Sequence, residues 1–214
     1  MENQNRQVLL KRRPGGAPAG DDFEIVDAPI PDPADGEVLV RGIYLSLDPY
    51  MRGRMSGARS YARPVEVGAV MEGRVVGRVV RSSDPGFRAG DYVLGGYGWQ
   101  LYSAVPANGL VKLEPNEAPL STALGVLGMP GLTAYVGLDE IGRPQHGETV
   151  VVSAASGAVG AVVGQLAKRA GARVVGIAGG ADKCRWVEAE LGFACIDHRS
   201  ADLGAALDHA CPKD

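Results

Sequence analysis

The sequence predicts an α/β plus β protein, with a β-rich first half followed by strand–helix repeats that build a parallel sheet. Three observations carry this reading. From Gln7 to Leu113, short apolar runs alternate with Gly, Pro and Asp clusters, the punctuation of a small barrel-like β domain. The texture changes at EPNEAP, Glu114 to Pro119, whose two prolines read as a linker. Beyond Gly147, apolar strands and apolar-striped helices take turns, which implies right-handed crossovers within one sheet.

The β-like runs are Val8 to Leu10, Phe23 to Val26, Glu37 to Tyr44, Arg74 to Val80, Asp91 to Leu94 and Leu101 to Val105. Turn residues at Pro29 to Gly36 and Ser82 to Gly90 divide them. The short cluster Lys11, Arg12, Arg13 reads as a solvated strand end, and Trp99 as barrel core rather than substrate wall. After the linker come two short helical stretches, Leu120 to Leu127 and Leu132 to Ile141. Gly128 and Pro130 interrupt them, because proline cannot continue a preceding helix.

Thr149 to Ala155, TVVVSAA, is a continuous apolar run of the kind buried on both faces of a sheet. Val159, Val162, Val163, Leu166, Ala167 and Ala170 then fall at spacings of three and four, one stripe of a helix that ends near Gly171. Arg173 to Ala178 is a second strand. Asp182 can cap a helix running to Leu191, with Gly192 as its stop. Ala194 to Asp197 is a third strand, and Leu203, Leu207 and Ala210 mark a last helix before Pro212. The domain boundaries expected are 1–119 for the β-rich domain, 120–146 for connecting helices and 147–214 for the alternating domain.

Bulk properties exclude several classes. A net charge of -3 offers no basic excess for a nucleic-acid partner. The N-terminus lacks the apolar core of a signal peptide, and no stretch resembles a membrane span. The three cysteines, Cys184, Cys195 and Cys211, show no CxxC spacing, and one would stay unpaired in any disulfide scheme. A reducing compartment, the cytoplasm, is therefore expected. Neither Cys nor His occurs in the β-rich region, so no zinc site of ordinary composition can be assembled there, and no metal is expected.

The chemistry sits where the first of the later strands runs into ASGAVG, Ala155 to Gly160. Strand, glycine turn and helix in this order form the Rossmann dinucleotide fingerprint, here as A-x-G-x-x-G. Gly157 lets the backbone approach a pyrophosphate and Gly160 lets the helix pack on the strand. The helix-opening amides, from Ala155 and Ser156 through Ala158 and Val159, face the negative charge. The alternative is a tight turn with no ligand.

The tip of the second strand chooses the cofactor. NAD sites place a carboxylate there for the ribose hydroxyls. This chain has AGGADK, in which Gly179 leaves room for a phosphate and Lys183 supplies positive charge, so NADPH is expected. Lys183 can also be a solvated lysine. His198 and Arg199, after the third strand, are candidates for the same ribose edge or plain surface residues.

LSLDPYMRGRM (Leu45 to Met55), GMPGLTAYVGLDEIG (Gly128 to Gly142), VVVSAASGAVG (Val150 to Gly160) and GIAGGADKC (Gly176 to Cys184) together resemble one branch of the medium-chain dehydrogenase/reductase superfamily. That branch is zinc-independent and contains the prostaglandin, alkenal double-bond and curcumin reductases. The resemblance implies a GroES-like N-terminal domain followed by the first half of a Rossmann fold, strand order 3-2-1. It implies NADPH-dependent reduction of the carbon–carbon double bond of α,β-unsaturated ketones and aldehydes, with a small-molecule enone as partner. Hydride would reach the β-carbon, and a donor would protonate the α-carbon of the resulting enolate. By the same resemblance Tyr50 and Tyr61 border the substrate, Met129 and Thr133 lie near the nicotinamide, and Lys183 takes the 2′-phosphate. From the residues alone, Tyr61 can equally be a surface tyrosine and Met129 a packing residue. GFACIDH (Gly192 to His198) is one residue shorter than is usual in the branch, which affects the place of His198.

Relatives in this branch continue beyond the third strand and supply the rest of the sheet and the dimer contacts. The expectation is therefore an incomplete form of a reductase that can pair as a homodimer at full length. Quinone reduction and a non-catalytic nucleotide-binding remnant are the alternatives.

Overall fold

A computed structural model describes residues 4–200 and 202–211. The chain divides into two compact units, Met1–Leu124 and Gly125–Asp214.

In the first unit, β1 (Asn5–Leu10) pairs antiparallel with β2 (Phe23–Ala28). Strands β3 (Glu37–Leu45), β4 (Val75–Ser82), β5 (Tyr92–Gly95), β6 (Tyr102–Pro106) and β7 (Val111–Leu113) form an antiparallel sheet in the order β6-β3-β4-β5-β7. Most of the residues that fill its core are β-branched, and they suit a pleated surface. Val38 and Val40 of β3, Val75 and Val79 of β4 and Val93 of β5 are all buried in one cluster. Each contributes about 1.5–3 kcal/mol on burial. The side chain of Asn5 acts like a short extra strand. Its amide nitrogen donates to the Tyr102 carbonyl at 2.9 Å, and its oxygen accepts from the Tyr102 amide at 2.9 Å. Strand β7 carries no strong alternation and escapes a reading by pattern.

The basic cluster after β1 is exposed at Lys11 and Arg12, as expected of a solvated strand end, yet two of its side chains find partners. Arg12 donates to the nearly buried Asp22 carboxylate at 2.7 Å, and Arg13 donates to the Met55 carbonyl at 3.2 Å. Asp22 is held below the usual carboxylate range, first by the Arg12 hydrogen bond and then by the Ala19 amide.

In the second unit, β8 (Thr149–Val152), β9 (Arg173–Ala178) and β10 (Ala194–Asp197) form a parallel sheet in the order β10-β9-β8, the expected 3-2-1 arrangement. Strand β8 is shorter than its apolar run predicts, since it stops at Val152 and Ala154 takes a left-handed φ of 48°. It is not buried on both faces either, because among the described residues β8 is an edge strand and Val151 remains 45% exposed.

After the first α-helix of the chain, α1 (Tyr50–Arg54), come α2 (Met129–Tyr135), α3 (Gly160–Arg169), α4 (Ala181–Trp186) and α5 (Leu203–Ala210). The stretch expected from Leu120 to Leu127 is a short 3-10 turn, Leu120–Leu124. The next helix begins at Met129, three residues earlier than expected. Pro130 occupies its first turn, where the missing N–H costs nothing, and the chain continues as a π-turn, Val136–Gly142. Helix α3 closes as anticipated. Gly171 takes φ 83°, its amide donates to Lys168 and the Ala172 amide to Ala167, both at 3.1 Å, which satisfies the last carbonyls. Helix α4 runs into a π-turn, Val187–Leu191, that stops at Gly192. Asp182 does not cap α4. The cap residue is Gly180, which has no side chain to offer, and Asp182 pairs instead with Arg185 one turn on. Asp202 caps α5 by accepting from the Ala205 amide at 3.2 Å. The expected stop at Pro212 lies outside the described residues.

Candidate functional site

In the second unit the nucleotide candidates fall in three places: the turn after β8, the tips of β9 and β10 with the start of α4, and the helix α2. Left-handed Ala154 turns the chain out of β8, and its carbonyl accepts from the Gly157 amide at 2.8 Å. The Ala155 amide donates to Ile177 at 3.0 Å, so the turn stays tied to β9. Among the described residues no main-chain carbonyl accepts from the amides of Ser156, Ala158 or Val159. Such amides at the start of a ten-residue helix, whose dipole also favours negative charge, suit a diphosphate. Ala158 and Val159 are exposed, and Ser156 and Gly157 are half-buried, so the loop faces outward.

Ala155 and Gly160 are buried and contribute through packing rather than through their surfaces. A Cβ on Gly160 would lie 2.4 Å from the Ala154 oxygen, which leaves glycine as the residue that lets α3 sit this close to the turn. Met129 and Thr133 lie on α2, which packs against α3. Met129 is 41% exposed, and the Thr133 hydroxyl donates to the Met129 carbonyl at 2.8 Å.

At the neighbouring tips, β9 and β10 bring Gly179, His198 and Arg199 together. A Cβ on Gly179 would stand 2.9 Å from His198 Nε2 and 3.1 Å from Arg199 Nε. Both of these side chains, and that of Lys183 on α4, are exposed. The carboxylate at this edge belongs to Asp197, which the sequence reading did not single out. Its Oδ1 accepts from the Gly180 amide at 2.8 Å and the Arg199 amide at 3.0 Å.

In the first unit, α1 carries a second candidate face. Met51 and Met55, one turn apart, are buried with Leu10, Val65 and Met71. Tyr50 and Arg54, also one turn apart, therefore share the adjoining face. The Arg54 guanidinium lies 5.7 Å from the Tyr50 ring centroid and 4.8 Å from that of Tyr61, and its Nε donates to Glu72 at 2.7 Å. Arg54 Nη1 is buried and without a partner among the described residues. Tyr50 is partly buried, and its hydroxyl is pushed above the ordinary tyrosine range by burial and then by the Glu72 charge. Tyr61 is 85% exposed. Arg54 and Glu72 escaped the sequence reading because α1 is too short to show periodicity. The spacing of Tyr50 and Arg54 was the signal available.

Trp99 is partly core and partly wall. It packs on the Leu10 cluster and stacks on Phe23 at 5.5 Å, and it also lines a cleft of about 300 Å³ with Gly42, Tyr44 and Leu45. Among the described residues no helix is long and apolar enough to cross a membrane.

Residues 6–113 match the family described as the N-terminal domain of oxidoreductase. The chain is 52% identical over 214 residues to the NADPH-dependent curcumin reductase of Escherichia coli, covering 100% of this chain and 62% of that protein. It is 43% identical over 219 residues to the NADP(+)-dependent 2-alkenal reductase of Nicotiana tabacum, covering 99% of this chain and 64% of that one. The crystal structure of CurA in complex with NADPH from Vibrio vulnificus superposes with a TM-score of 0.91 at 50% identity, over 95% of this chain and 61% of that one. This chain thus spans somewhat over three-fifths of the length of these relatives. It belongs to the oxidoreductase family that this N-terminal domain marks, in the medium-chain dehydrogenase/reductase branch of the curcumin, alkenal and prostaglandin reductases.

Proposed function

We propose that the chain is the NADPH-holding and substrate-bordering part of a reductase for the carbon–carbon double bond of α,β-unsaturated ketones and aldehydes. The observation that carries this reading is the helix-opening turn at Ser156 to Gly160, where no main-chain carbonyl among the described residues accepts from the amides of Ser156, Ala158 or Val159, together with His198 and Arg199 gathered at Gly179. The printed activities of the curcumin and 2-alkenal reductases support it. In this reading residues 147–214 hold the cofactor, 120–146 connect, and 1–119 carry the substrate side.

The donor set fits the group. The amides of Ser156, Ala158 and Val159 hold the diphosphate, and Lys183, His198 and Arg199 surround the 2′-phosphate. Met129 and Thr133 border the nicotinamide. When bound, the cofactor supplies the hydride for the β-carbon. Tyr50 and Tyr61 donate hydrogen bonds to the substrate carbonyl and stabilise the charge that develops there. Tyr50, like any tyrosine, is a donor at neutral pH, and burial, which raises its pKa, acts in the same direction. Three free cysteines fit a reducing cytoplasm, and a homodimer is the expected assembly of the longer protein.

The test is steady-state reduction of a simple enone, followed by NADPH consumption, in this chain and in one extended to the length of its relatives. Turnover in the extended chain is expected. No turnover there, or faster reduction of a quinone than of any enone, would sink the reading.

A further inference from the structure

We propose that Asp197 sets the preference for a 2′-phosphorylated adenosine by acting as a positioning residue, joining the tips of β9 and β10 so that His198 and Arg199 stand beside Gly179. The inference rests on the nucleotide reading above and assigns a role to a residue that does not touch the phosphate.

The geometry is specific. Asp197 pairs in register with Ala178, the last residue of β9. Its Oδ1 reaches across to the Gly180 amide at 2.8 Å and back along its own loop to the Arg199 amide at 3.0 Å. Gly180 takes φ 105°, a conformation other residues rarely adopt, and its N–H donates to the neighbouring tip. One oxygen thereby fixes both loops. Gly179 lies between them with a bare backbone, and the His198 and Arg199 side chains occupy the space a Cβ would need.

A carboxylate at the β9 tip would take the ribose hydroxyls and repel a 2′-phosphate, and Asp197 lies on the neighbouring β10 tip. Asp197 is engaged otherwise. Its charge is shared with two amides, and those of Arg199 and Gly180 hold its carboxyl below the usual range. The carboxylate is engaged by main-chain amides, and the side chains of His198 and Arg199 remain exposed.

The test uses two probes, adenosine 2′,5′-bisphosphate and AMP, titrated by calorimetry into the 214-residue chain and its variants. The wild-type chain is expected to bind the bisphosphate more tightly. Asp197→Ala removes the acceptor, and Asp197→Glu keeps the charge but moves it by a methylene, so it cannot meet both amides. Each is expected to lower the bisphosphate-to-AMP affinity ratio about tenfold while leaving AMP nearly unchanged. Asp197→Asn keeps an oxygen in place and is expected to retain the ratio. Should Asp197→Ala fail to fold, Asp197→Glu carries the same comparison. An unchanged or increased ratio in both variants, or a parallel loss of both probes, would overturn the positioning role. A wild-type chain that binds neither probe would instead remove the nucleotide reading itself, and this inference with it.

Discussion

The Arg54 guanidinium lies 4.8 Å from the centroid of the Tyr61 ring, and Glu72 anchors it from the other side at 2.7 Å. Tyr61 is otherwise largely in solvent, so this cation supplies much of what orders the ring. A cation over an exposed aromatic ring contributes about 0.5–1 kcal/mol. In a chain extended to the length of its relatives, Arg54→Ala is therefore expected to raise the KM for an enone about two- to fivefold, with a smaller change in kcat. Arg54→Lys keeps charge without the planar stack and should fall between. Steady-state kinetics with an unchanged KM in Arg54→Ala would dissociate Arg54 from the substrate face.

Gly160 is confined by backbone rather than by a movable side chain. A methyl group there meets the Ala154 oxygen at 2.4 Å and its carbonyl carbon at 2.9 Å. Alanine would improve helix propensity, but the clash outweighs it, and Gly160→Ala is expected to destabilise the fold by about 1–3 kcal/mol. Gly157→Ala, whose nearest contact is 3.0 Å, should cost clearly less. Urea denaturation of the two variants compares them directly, and equal midpoints would contradict the close packing of α3 on the turn.

The Lys183 side chain is exposed on α4. Lys183→Ala is expected to weaken NADPH binding about ten- to a hundredfold, the loss of a charge-assisted contact of about 1.5–3 kcal/mol, while NADH binding stays constant. Fluorescence titration with both dinucleotides reads this out. If NADH binds as tightly as NADPH and the substitution alters neither, Lys183 has no part in phosphate recognition.

Asp91 links β5 to β7. Its carboxylate lies 2.8 Å from Lys112 Nζ and accepts from the Arg88 amide at 3.1 Å, which together lower its pKa below 3.8. A depressed carboxyl pKa stabilises the folded state fully above the unfolded value, and that contribution disappears as pH falls through the folded value. Asp91→Asn is expected to cost about 0.5–1 kcal/mol near neutral pH, with the gap to wild type closing below pH 3.8. Denaturant midpoints across that range test the sign; a gap that widens on acidification would refute it.

Much of the fold was legible because periodicity reports burial. Arg173–Ala178 and Ala194–Asp197 were read with their observed bounds, as was the glycine stop of α3. The misreadings have physical causes. The run Thr149 to Ala155 is mostly apolar, and composition does not register that Ala154 turns left-handed to deliver the chain into Ser156. Pro130 looked like a barrier because its effect depends on whether it falls in a helix interior or in its first turn.

The order of strand, glycine turn and helix, and the absence of a carboxylate from the β9 tip, were determined by sequence alone, since both are local in the chain. The partnership of Asp197 with Gly180, and the stacking of Arg54 with Tyr61, were decided only in three dimensions. Hydrogen bonds and cation–ring contacts act over a few ångströms. Parallel pairing of β9 with β10, and the fold of the loop after α1, bring within that range groups whose spacing along the chain carries no sign that they will meet.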